Sequence, residues 1–270
     1  MARQTVEIFQ NNSFGIVHDI DEKPNNINFQ LHNHDDIYEI VLLLKGDCEF
    51  FVEGNSYKLQ PHDIVFTRPF EFHHIKCLSE KIYDRIILYI KADYFNEHNC
   101  QKFLDIFQNR KLGTGNLISY SMTDHALNYC MNRIYDYCEK KAYDVANKLI
   151  YEFLYLINQY KNNLSSLCTR DERIRNIIIY INDNLSENIN LDILSKKFFI
   201  TKQYMCKLFK LNTGYTINQY INYKRILLVQ KLHRNGQSLI QSSMNAGFNN
   251  YANFYKTYVK YTGKSPKEMD

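Results

Sequence analysis

Short apolar runs with strand-like composition fill the first third of the chain, from about residue 28 to residue 90. They are four to nine residues long, rich in β-branched and aromatic side chains, and separated by Gly, Pro, Asn or Asp. The segments are Ile37–Lys45, Cys48–Glu53, Ser56–Leu59, Ile64–Thr67, His73–Cys77 and Tyr83–Ile90. This pattern predicts an antiparallel β sandwich or barrel.

Helical spacing of apolar positions replaces the strand pattern after residue 92. The helical segments are Asp93–Phe107, Thr123–Lys140 and Tyr143–Lys161, with Gly113 and Gly115 breaking the chain after the first. An apolar stripe on the last helix, between Leu149 and Ile157, fits two alternatives equally: packing on the β domain, or a dimer interface. The polar, breaker-rich stretch Lys161–Thr169 predicts a linker, after which Ile174 and its neighbours begin another helix.

The chain after residue 190 contains one pattern twice, at an offset of 48 residues before the central turn and 49 after it. The first copy is Leu191, Leu194, Ser195, Ile200, Thr201, Met205, Phe209 and Gly214. The second copy is Leu239, Ser242, Ser243, Phe248, Asn249, Phe254, Tyr258 and Gly263. Each copy predicts a short helix, a tight turn and a longer helix that ends at glycine, which is a helix-turn-helix unit. We call the two units the first head and the second head.

Polar residues that can cap helices stand at the expected ends of these elements. Asn190 and Ser238 precede the short helices, and Thr201 and Asn249 or Asn250 precede the longer ones. The segment between the heads, from Ile217 to Leu232, lacks glycine and proline and predicts a single rigid helix.

The formal charge of +4 conceals an asymmetry. Residues 171–270 contain 15 Lys or Arg and 7 Asp or Glu, a net charge of +8, whereas the remainder carries 18 and 22, a net charge of −4. A basic segment joined to an acidic one suits a DNA-binding module attached to a domain that avoids DNA. Uneven solvated surface charge is the alternative explanation.

Cysteine usage and hydropathy indicate the compartment. The seven cysteines include no C-x-x-C pair, which argues against a disulfide framework or a zinc knuckle. The first residues do not form a signal peptide, and no apolar run approaches the 18 residues of a membrane span. We therefore expect a cytoplasmic protein with no membrane partner.

The carboxyl-terminal segment resembles the DNA-binding domain of the AraC/XylS family of transcription regulators. The family's Gly-Phe, its Phe and basic residue, and its Gly-x-Ser-Pro appear here in order, as Gly247, Phe248, Phe254, Lys256 and the stretch 263–266. Tyr220, Ile221, Arg225 and Leu232 match the central helix. The sequence departs from the family at Ser242, where a buried branched apolar residue is usual, so the second head is expected to pack less well.

A second resemblance lies in the β domain. The spacing of His32, His34, Glu39 and Gly46 reproduces the first motif of the cupins, the small-barrel domain that many AraC-family members carry as a sensor. Candidate ligand-binding residues are His32, His34, Glu39, Arg68, His73 and His74. Aromatic residues near them in sequence, Tyr38, Phe50, Phe66 and Phe72, favour a pocket for a small polar ligand such as a sugar.

A divalent metal is the other occupant that these residue types allow. His32, His34, Glu39 and His73 are the three-nitrogen, one-carboxylate set that binds transition metals in catalytic cupins. The sensing role implied by the resemblance requires no cofactor. The alternative function is therefore a metal-dependent cupin enzyme with an appended helical domain.

If both longer helices enter the major groove, their outward residues read the bases. In the first head these are Lys202, Gln203, Cys206, Lys207 and Lys210, and in the second head Asn250, Tyr251, Ala252, Tyr255 and Lys256. Phosphate contacts are expected from Lys196, Lys197, Lys224 and Lys264.

The sequence thus predicts an α+β protein of two domains. Residues 1–110 form a cupin-like antiparallel β-barrel sensor, residues 111–165 a helical connector that dimerises, and residues 170–270 an all-α DNA-binding domain with two helix-turn-helix units. The expected function is ligand-responsive transcription regulation, as an activator and not as an enzyme. The expected partners are promoter DNA, a small-molecule effector, a second copy of the chain and RNA polymerase.

Overall fold

The computed structural model describes the backbone of residues 4–10 and the residues 13–22, 24, 36–123, 125–162, 164, 172–213 and 215–268. The chain divides into two compact units, Met1–Thr169 and Arg170–Asp270. His32, His34, Gly214 and most of the predicted linker lie outside the described residues. Among the described helices, none has both the length and the hydrophobicity to cross a membrane.

Two antiparallel sheets form the framework of the amino-terminal unit. Its strands are β1 (Gln4–Gln10), β2 (Phe14–Asp21), β3 (Ile37–Lys45), β4 (Cys48–Val52), β5 (Asn55–Lys58), β6 (Ile64–Thr67), β7 (His73–Cys77), β8 (Tyr83–Lys91) and β9 (Leu117–Ile118). The larger sheet has the order β1-β2-β8-β3-β6-β9, and the smaller has the order β5-β4-β7. The cupin-like fold class is confirmed, with the described strands paired as two facing sheets.

Strand β3 shows why this framework forms. Its side chains alternate between the two faces of the larger sheet. Tyr38, Ile40 and Leu42 enter a core shared with helices, while Val41 and Leu43 enter a core shared with the smaller sheet. Because both faces of β3 are covered, its sequence is an almost continuous run of apolar residues.

The six predicted strands lie where the sequence placed them, to within one or two residues. Three further strands, β1, β2 and β9, were missed. In β2 the apolar residues alternate from Phe14 to Ile20, and the whole strand pairs with β8 from Phe14↔Ile90 to Asp21↔Tyr83. That long-range pairing, rather than a local turn signal, makes β2 part of the sheet.

Helices cover one face of the larger sheet. They are α1 (Ala92–Glu97), α2 (Asp105–Gln108), α3 (Ala126–Glu139) and α4 (Tyr143–Asn158), with short 3-10 turns at Gln101–Leu104 and Tyr120–Met122. Ile134 of α3 and Phe153 of α4 belong to the same core as Ile16 and Leu88 of the sheet. The apolar stripe of α4 therefore packs within this unit, and a dimer interface stays a prediction.

A buried carboxylate ties the loop after α2 to the loop before β7. Glu71 accepts two hydrogen bonds from the Arg110 guanidinium, at 2.7 and 2.6 Å, and one from the backbone N–H of Gly113 at 2.8 Å. Burial alone would raise the pKa of Glu71, but the charge and hydrogen bonds of Arg110 outweigh it, so this pKa is lowered. The ion pair fixes the chain immediately before His73.

Two cysteines face each other across the smaller sheet. Cys48 on β4 and Cys77 on β7 occupy opposite positions in the register, and both are buried free thiols. Burial raises the pKa of Cys48 to about 12 and that of Cys77 to about 11. Both side chains are therefore neutral at physiological pH and inert as nucleophiles. Sequence spacing alone did not indicate this pair.

The carboxyl-terminal unit is helical. Its helices are α5 (Glu172–Asp183), α6 (Leu191–Phe198), α7 (Lys202–Thr213), α8 (Ile217–Arg234), α9 (Leu239–Asn245) and α10 (Tyr251–Thr262), followed by a 3-10 turn at Pro266–Glu268. Helices α6 and α7 form the first head, and α9 and α10 form the second. The predicted central helix is α8, which begins with a capping box between Thr216 and Gln219 and spans about 27 Å at 1.5 Å per residue.

Candidate nucleic-acid interface and sensor cavity

Local capping chemistry positions the first head. The side chain of Asn190 accepts a hydrogen bond of 2.9 Å from the backbone N–H of Ile193 at the start of α6. The turn ends α6 at Phe199 in the left-handed conformation, and Ser195 Oγ donates to the carbonyl of Ile200 at 2.6 Å. Leu194 is fully buried between the helices. These contacts hold α7 at a defined angle with one face outward.

The outward face of α7 is polar and cationic. Lys202, Gln203, Lys207 and Lys210 are exposed, and Cys206 is half-buried. Lys202 Nζ lies 2.5 Å from Asp192 Oδ1, and this hydrogen bond lowers the pKa of Asp192. The helix contains no acidic residue. All five sequence-predicted positions of this head therefore share one accessible face that suits the electronegative major groove.

The second head repeats the same construction with its own caps. Ser238 caps α9 through a 3.2 Å hydrogen bond from the N–H of Gln241, and Asn250 caps α10 through a 2.8 Å bond from the N–H of Asn253. Gly263 ends α10 with φ +72°. Buried side chains pack this head against α8, namely Ile226, Val229, Ala246, Phe248, Phe254 and Tyr258. The caps predicted at Asn190, Ser238 and Asn250 are confirmed.

The outward face of α10 carries amide and aromatic groups rather than a row of cations. Asn250, Ala252, Tyr255 and Lys256 are exposed, whereas Tyr251 is half-buried with its ring 5.6 Å from that of Phe254. Because Asn250 Oδ1 already accepts the capping hydrogen bond, pairing of this side chain with adenine competes with the cap.

One pair of equivalent positions escaped the sequence prediction. Tyr204 in α7 and Asn253 in α10 are both exposed and are related by the offset of 49 residues. The guanidinium of Arg173 lies 5.5 Å from the centre of the Tyr204 ring. The internal repeat is the signal that could have identified both positions, because each lies beside residues that were predicted to face the DNA.

Three of the four predicted phosphate contacts are accessible. Lys196, Lys197 and Lys264 are exposed, and Lys197 Nζ lies 4.6 Å from the centre of the Tyr180 ring. Lys224 is a correction, because it is only 5% exposed and its ammonium lies over the ring of Tyr220 at 5.6 Å. With so little exposed surface, Lys224 is not a surface cation.

A clamp around Arg225 holds the turn of the second head. Its guanidinium donates to the carbonyls of Leu185 at 2.9 Å and Glu187 at 2.7 Å, in the loop between α5 and α6. Gly247, with φ +91°, lies so close that a Cβ there would be 2.3 Å from the Leu185 oxygen. Only glycine fits this position, and the loop, α8 and the second head meet there.

Part of the sensor candidate set lines a cavity of about 180 Å³ between the two sheets of the amino-terminal unit. It is lined by Glu39, Val41, Phe50, His73, His74, Ile75, Tyr83, Arg85, Ile87 and Tyr89. Three of the six ligand-binding candidates, Glu39, His73 and His74, therefore share one site. The cavity combines an apolar wall with a small number of polar groups, as small-molecule sites do.

His73 is held at both ring nitrogens. Its Nε2 lies 2.9 Å from Glu39 Oε2, and its Nδ1 lies 2.8 Å from the backbone carbonyl oxygen of Glu71. A carbonyl oxygen can only accept, so Nδ1 carries a proton, and the Nε2–Glu39 contact needs another proton on one of its two partners. These two hydrogen bonds fix the orientation of the His73 ring at the wall of the cavity.

Strand β8 supplies cavity residues that the sequence did not reveal. Arg85 is almost fully buried, forms an ion pair with Asp19 on β2, and stacks its guanidinium 4.2 Å from the centre of the Tyr83 ring. Burial raises the pKa of Tyr83 well above its ordinary value, so its hydroxyl stays neutral. The sequence does show that Arg85 is a charged residue within an apolar strand. It does not show the partner, Asp19, because the two residues are 66 positions apart.

Other predicted pocket residues lie elsewhere. Arg68 donates from its guanidinium to the carbonyls of Phe107 and Gln108, so it caps the end of α2 and does not line the cavity. Tyr38 and Phe66 face the helix side of the larger sheet. Their strand parity, opposite to that of Glu39, explains the difference.

The proposed metal set is only partly described. Glu39 and His73 are adjacent, but His32 and His34 lie outside the described residues. Among the residues that the structure does describe, no group of three or more His, Cys, Asp or Glu is arranged to hold a metal ion. Metal binding by the full set stays a prediction.

Comparison with known proteins agrees with both halves of this geometry. The family model of a helix-turn-helix domain matches residues 194–270, and that of an AraC-like ligand binding domain matches residues 20–98. The chain belongs to the AraC family of transcription regulators. The ligand-binding match falls within the β unit, and the helix-turn-helix match covers both heads apart from the first residues of α6.

Named relatives extend over most of this AraC-family chain. An HTH-type transcriptional regulator of Escherichia coli, YdiP, is 22% identical over 88% of this chain and 79% of its own length. The transcriptional activator RhaS of Mannheimia succiniciproducens is 20% identical over 89% of each chain. A regulator of Pseudoalteromonas carrageenovora is 32% identical over 36% of this chain, and the match spans 57% of that relative. Among solved structures, apo ToxT from Vibrio cholerae is 16% identical, with a TM-score of 0.43 over 96% of this chain and 97% of that one.

Proposed function

We propose that this regulator binds double-stranded DNA through both heads and that a small polar molecule in the β-unit cavity controls this binding. The observation that carries the proposal is the shared construction of the heads. Helices α7 and α10 each present a polar face beside a capped amino terminus, with Thr201 accepting from the N–H of Tyr204 at 3.4 Å and Asn250 capping α10. Both are joined to α8, a helix of 18 residues. This arrangement suits two consecutive major-groove contacts on one side of a duplex.

The two faces support different modes of readout. Lys207 and Lys210 in the first head suit guanine edges, and Gln203 suits a bidentate contact with adenine. Tyr255 and Lys256 in the second head offer one aromatic and one cationic contact. Lys196, Lys197 and Lys264 are exposed where they can neutralise phosphates.

The β-unit cavity supports an effector of limited size with hydrogen-bonding groups. Glu39, His74 and Arg85 bring polar groups to the wall of this cavity. A sugar is the class that we expect. A ligand preferring one arrangement of the protein shifts the balance of states only by its difference in affinity for them.

Dimerisation, activation and contact with RNA polymerase belong to the same proposal. Tyr129 of α3 and Tyr155 of α4 are 66% and 53% exposed, which supports pairing of two copies through this helical surface. The name of the relative RhaS supports activation. We infer no catalytic step, and we expect a regulator in the cytoplasm.

Sequencing of genomic fragments bound by the full-length protein tests the DNA-binding proposal. The expected result is a shared motif with two half-sites about one helical turn apart. Binding is repeated with and without a panel of sugars, since the effector can be needed for affinity. Fragments indistinguishable from random DNA under every condition would overturn the proposal.

Thermal unfolding with the same sugar panel tests the cavity. A ligand present at about 100 times its Kd adds about 2.7 kcal/mol to the free energy of unfolding. The Glu39→Gln variant should lose this shift, whereas the control Glu80→Gln, at an exposed position, should keep it. Equal shifts in both variants would place the ligand elsewhere.

Metal analysis addresses the alternative, a metal-dependent cupin enzyme. The adjacent Glu39 and His73 are the observation in its favour. Stoichiometric transition metal in the purified protein, lost in His73→Ala but kept in His98→Ala, would establish a metal site. Turnover of a substrate by that metal form would be needed to establish an enzyme.

A further inference from the structure

The turn of the first head exposes a phenylalanine. Phe199 is 95% exposed, more than any other large hydrophobic residue that the structure describes. Its backbone is left-handed, with φ 52° and ψ 44°. A bulky side chain in this region is unusual, since only glycine adopts it without steric cost.

Folding of the head does not require this side chain. The hydrogen bond from Ser195 Oγ to the carbonyl of Ile200 closes the turn around Phe199 without its ring. At the equivalent place, 48 residues later, the second head has Gly247, which adopts the same sign of φ. Phe199 therefore lowers the stability of the turn through its left-handed backbone, and its exposed ring adds no burial that would offset this cost.

The surroundings of Phe199 are cationic. Lys196 and Lys197 precede it on the last turn of α6, and Lys202 follows it at the start of α7. All three are exposed. In helix-turn-helix units the first helix crosses the phosphate backbone while the amino terminus of the second enters the groove. A residue between these two elements lies beside the backbone of the duplex.

We propose that Phe199 is a DNA contact and that its ring packs against deoxyribose beside the amino terminus of α7. This inference rests on the proposed function, because it assigns a further residue to the same DNA-binding surface. The apolar face of a sugar is the part of the backbone that a phenyl ring can cover. Lys196 and Lys197 then flank the ring on the adjoining phosphates.

Such a contact has a distinctive signature. It does not read bases, so its loss weakens binding to every sequence equally. It displaces no counterions, so its loss leaves the salt dependence of binding unchanged, unlike the loss of a phosphate-binding lysine. Because the ring contributes nothing to the fold, its removal leaves the stability of the protein equal or higher.

The experiment compares full-length wild type with Phe199→Gly and Phe199→Asn, two residues that tolerate the left-handed backbone. Binding to a fluorescein-labelled duplex of mixed sequence, long enough for two helical turns, is titrated at several salt concentrations. We expect about five-fold weaker affinity in both variants at each salt concentration, the effect of losing part of a buried phenyl contact. Leu211→Ala is the matched control, an equally apolar and 77% exposed residue in the last turn of α7.

Thermal unfolding of the same samples completes the test. Both Phe199 variants should unfold at or above the wild-type temperature, and Leu211→Ala should retain wild-type affinity. Wild-type affinity in the Phe199 variants would overturn the contact. A flattened salt slope would also overturn it, since the effect would then act through the lysines. Absence of wild-type binding to any duplex, both with and without the panel of sugars, would overturn the DNA-binding proposal and this contact together.

Discussion

The two heads share a backbone plan but are stabilised in different ways. At the equivalent buried position the first head has Leu194, while the second has Ser242, and both are fully buried. The turn of the first head projects Phe199 into solvent, whereas the turn of the second head presses Gly247 against the loop before α6. At these equivalent positions the first head therefore contributes a buried leucine of its own, whereas the turn of the second head depends on contact with the loop before α6. A repeat in sequence does not imply a repeat in energetics.

Gly247→Ala should have the largest effect. The new Cβ would lie 2.3 Å from the carbonyl oxygen of Leu185, and the backbone must move to relieve this clash. We expect a loss of about 3 kcal/mol in the free energy of unfolding, measured by urea denaturation. Gly236→Ala is the control, because Gly236 has the same φ of +91° with no atom within 4 Å. Equal losses in the two variants would show that φ alone, and not the contact, limits this turn.

Arg225→Met should have the next effect. The change keeps an unbranched apolar stem but removes the hydrogen bonds to the carbonyls of Leu185 and Glu187. We expect a loss of about 2 kcal/mol in the free energy of unfolding, because two acceptors lose a charged donor. Arg234→Met, at an exposed position on the same helix, serves as the control in the same urea titration. A loss of similar size in both variants would refute the clamp.

Lys207→Ala probes readout by the first head. Loss of a base-edge contact should cost about 1.5 kcal/mol on the selected site, roughly tenfold in affinity, with little change on random DNA. Lys196→Ala should instead weaken both DNAs alike and reduce the salt slope by about one. Fluorescence anisotropy on the two duplexes measures both effects. An equal loss on both duplexes for Lys207→Ala would move this residue to the phosphate backbone.

Ser242→Ala should have the smallest effect, and it should be favourable. The buried hydroxyl of Ser242 has no hydrogen-bond partner among the described residues, so its removal should add about 1 kcal/mol to the free energy of unfolding. The adjacent Ser243 is equally buried, but its hydroxyl donates to the carbonyl of Ile240 at 2.8 Å. Ser243→Ala should therefore destabilise the unit. The same sign of change for both serines would mean that packing, rather than hydrogen bonding, decides the effect.

Local chemistry explains what the sequence predicted well. The caps at Asn190, Ser238 and Asn250 depend on residues within three positions of each other, and the strands from β3 to β8 are bounded by their own turn residues. The two heads could also be predicted from the sequence, because the same pattern occurs twice. In each case the physical cause lies within a few residues of its effect, where a sequence displays it directly.

Long-range packing explains the errors. The burial of Lys224 depends on how α8 packs in the helical unit, and the position of Arg68 depends on the end of α2, some 40 residues away. The same limit applies to the cavity. The buried position of Arg85 depends on its ion pair with Asp19, and Asp19 lies on a strand, β2, that has no clear turn signal in the sequence. Strand parity could have excluded Tyr38 from the pocket, since Tyr38 and Glu39 are neighbours.

The rigidity of the central helix α8 constrains the spacing of the DNA half-sites that this regulator can bind. A rigid helix fixes the separation of the heads, and DNA rotates by a full turn in about 10.5 base pairs. A promoter that gains five base pairs between its half-sites therefore presents the second one on the opposite side of the duplex, whereas a gain of ten restores its phase. Promoter evolution under this regulator should tolerate substitutions between the half-sites far better than short insertions.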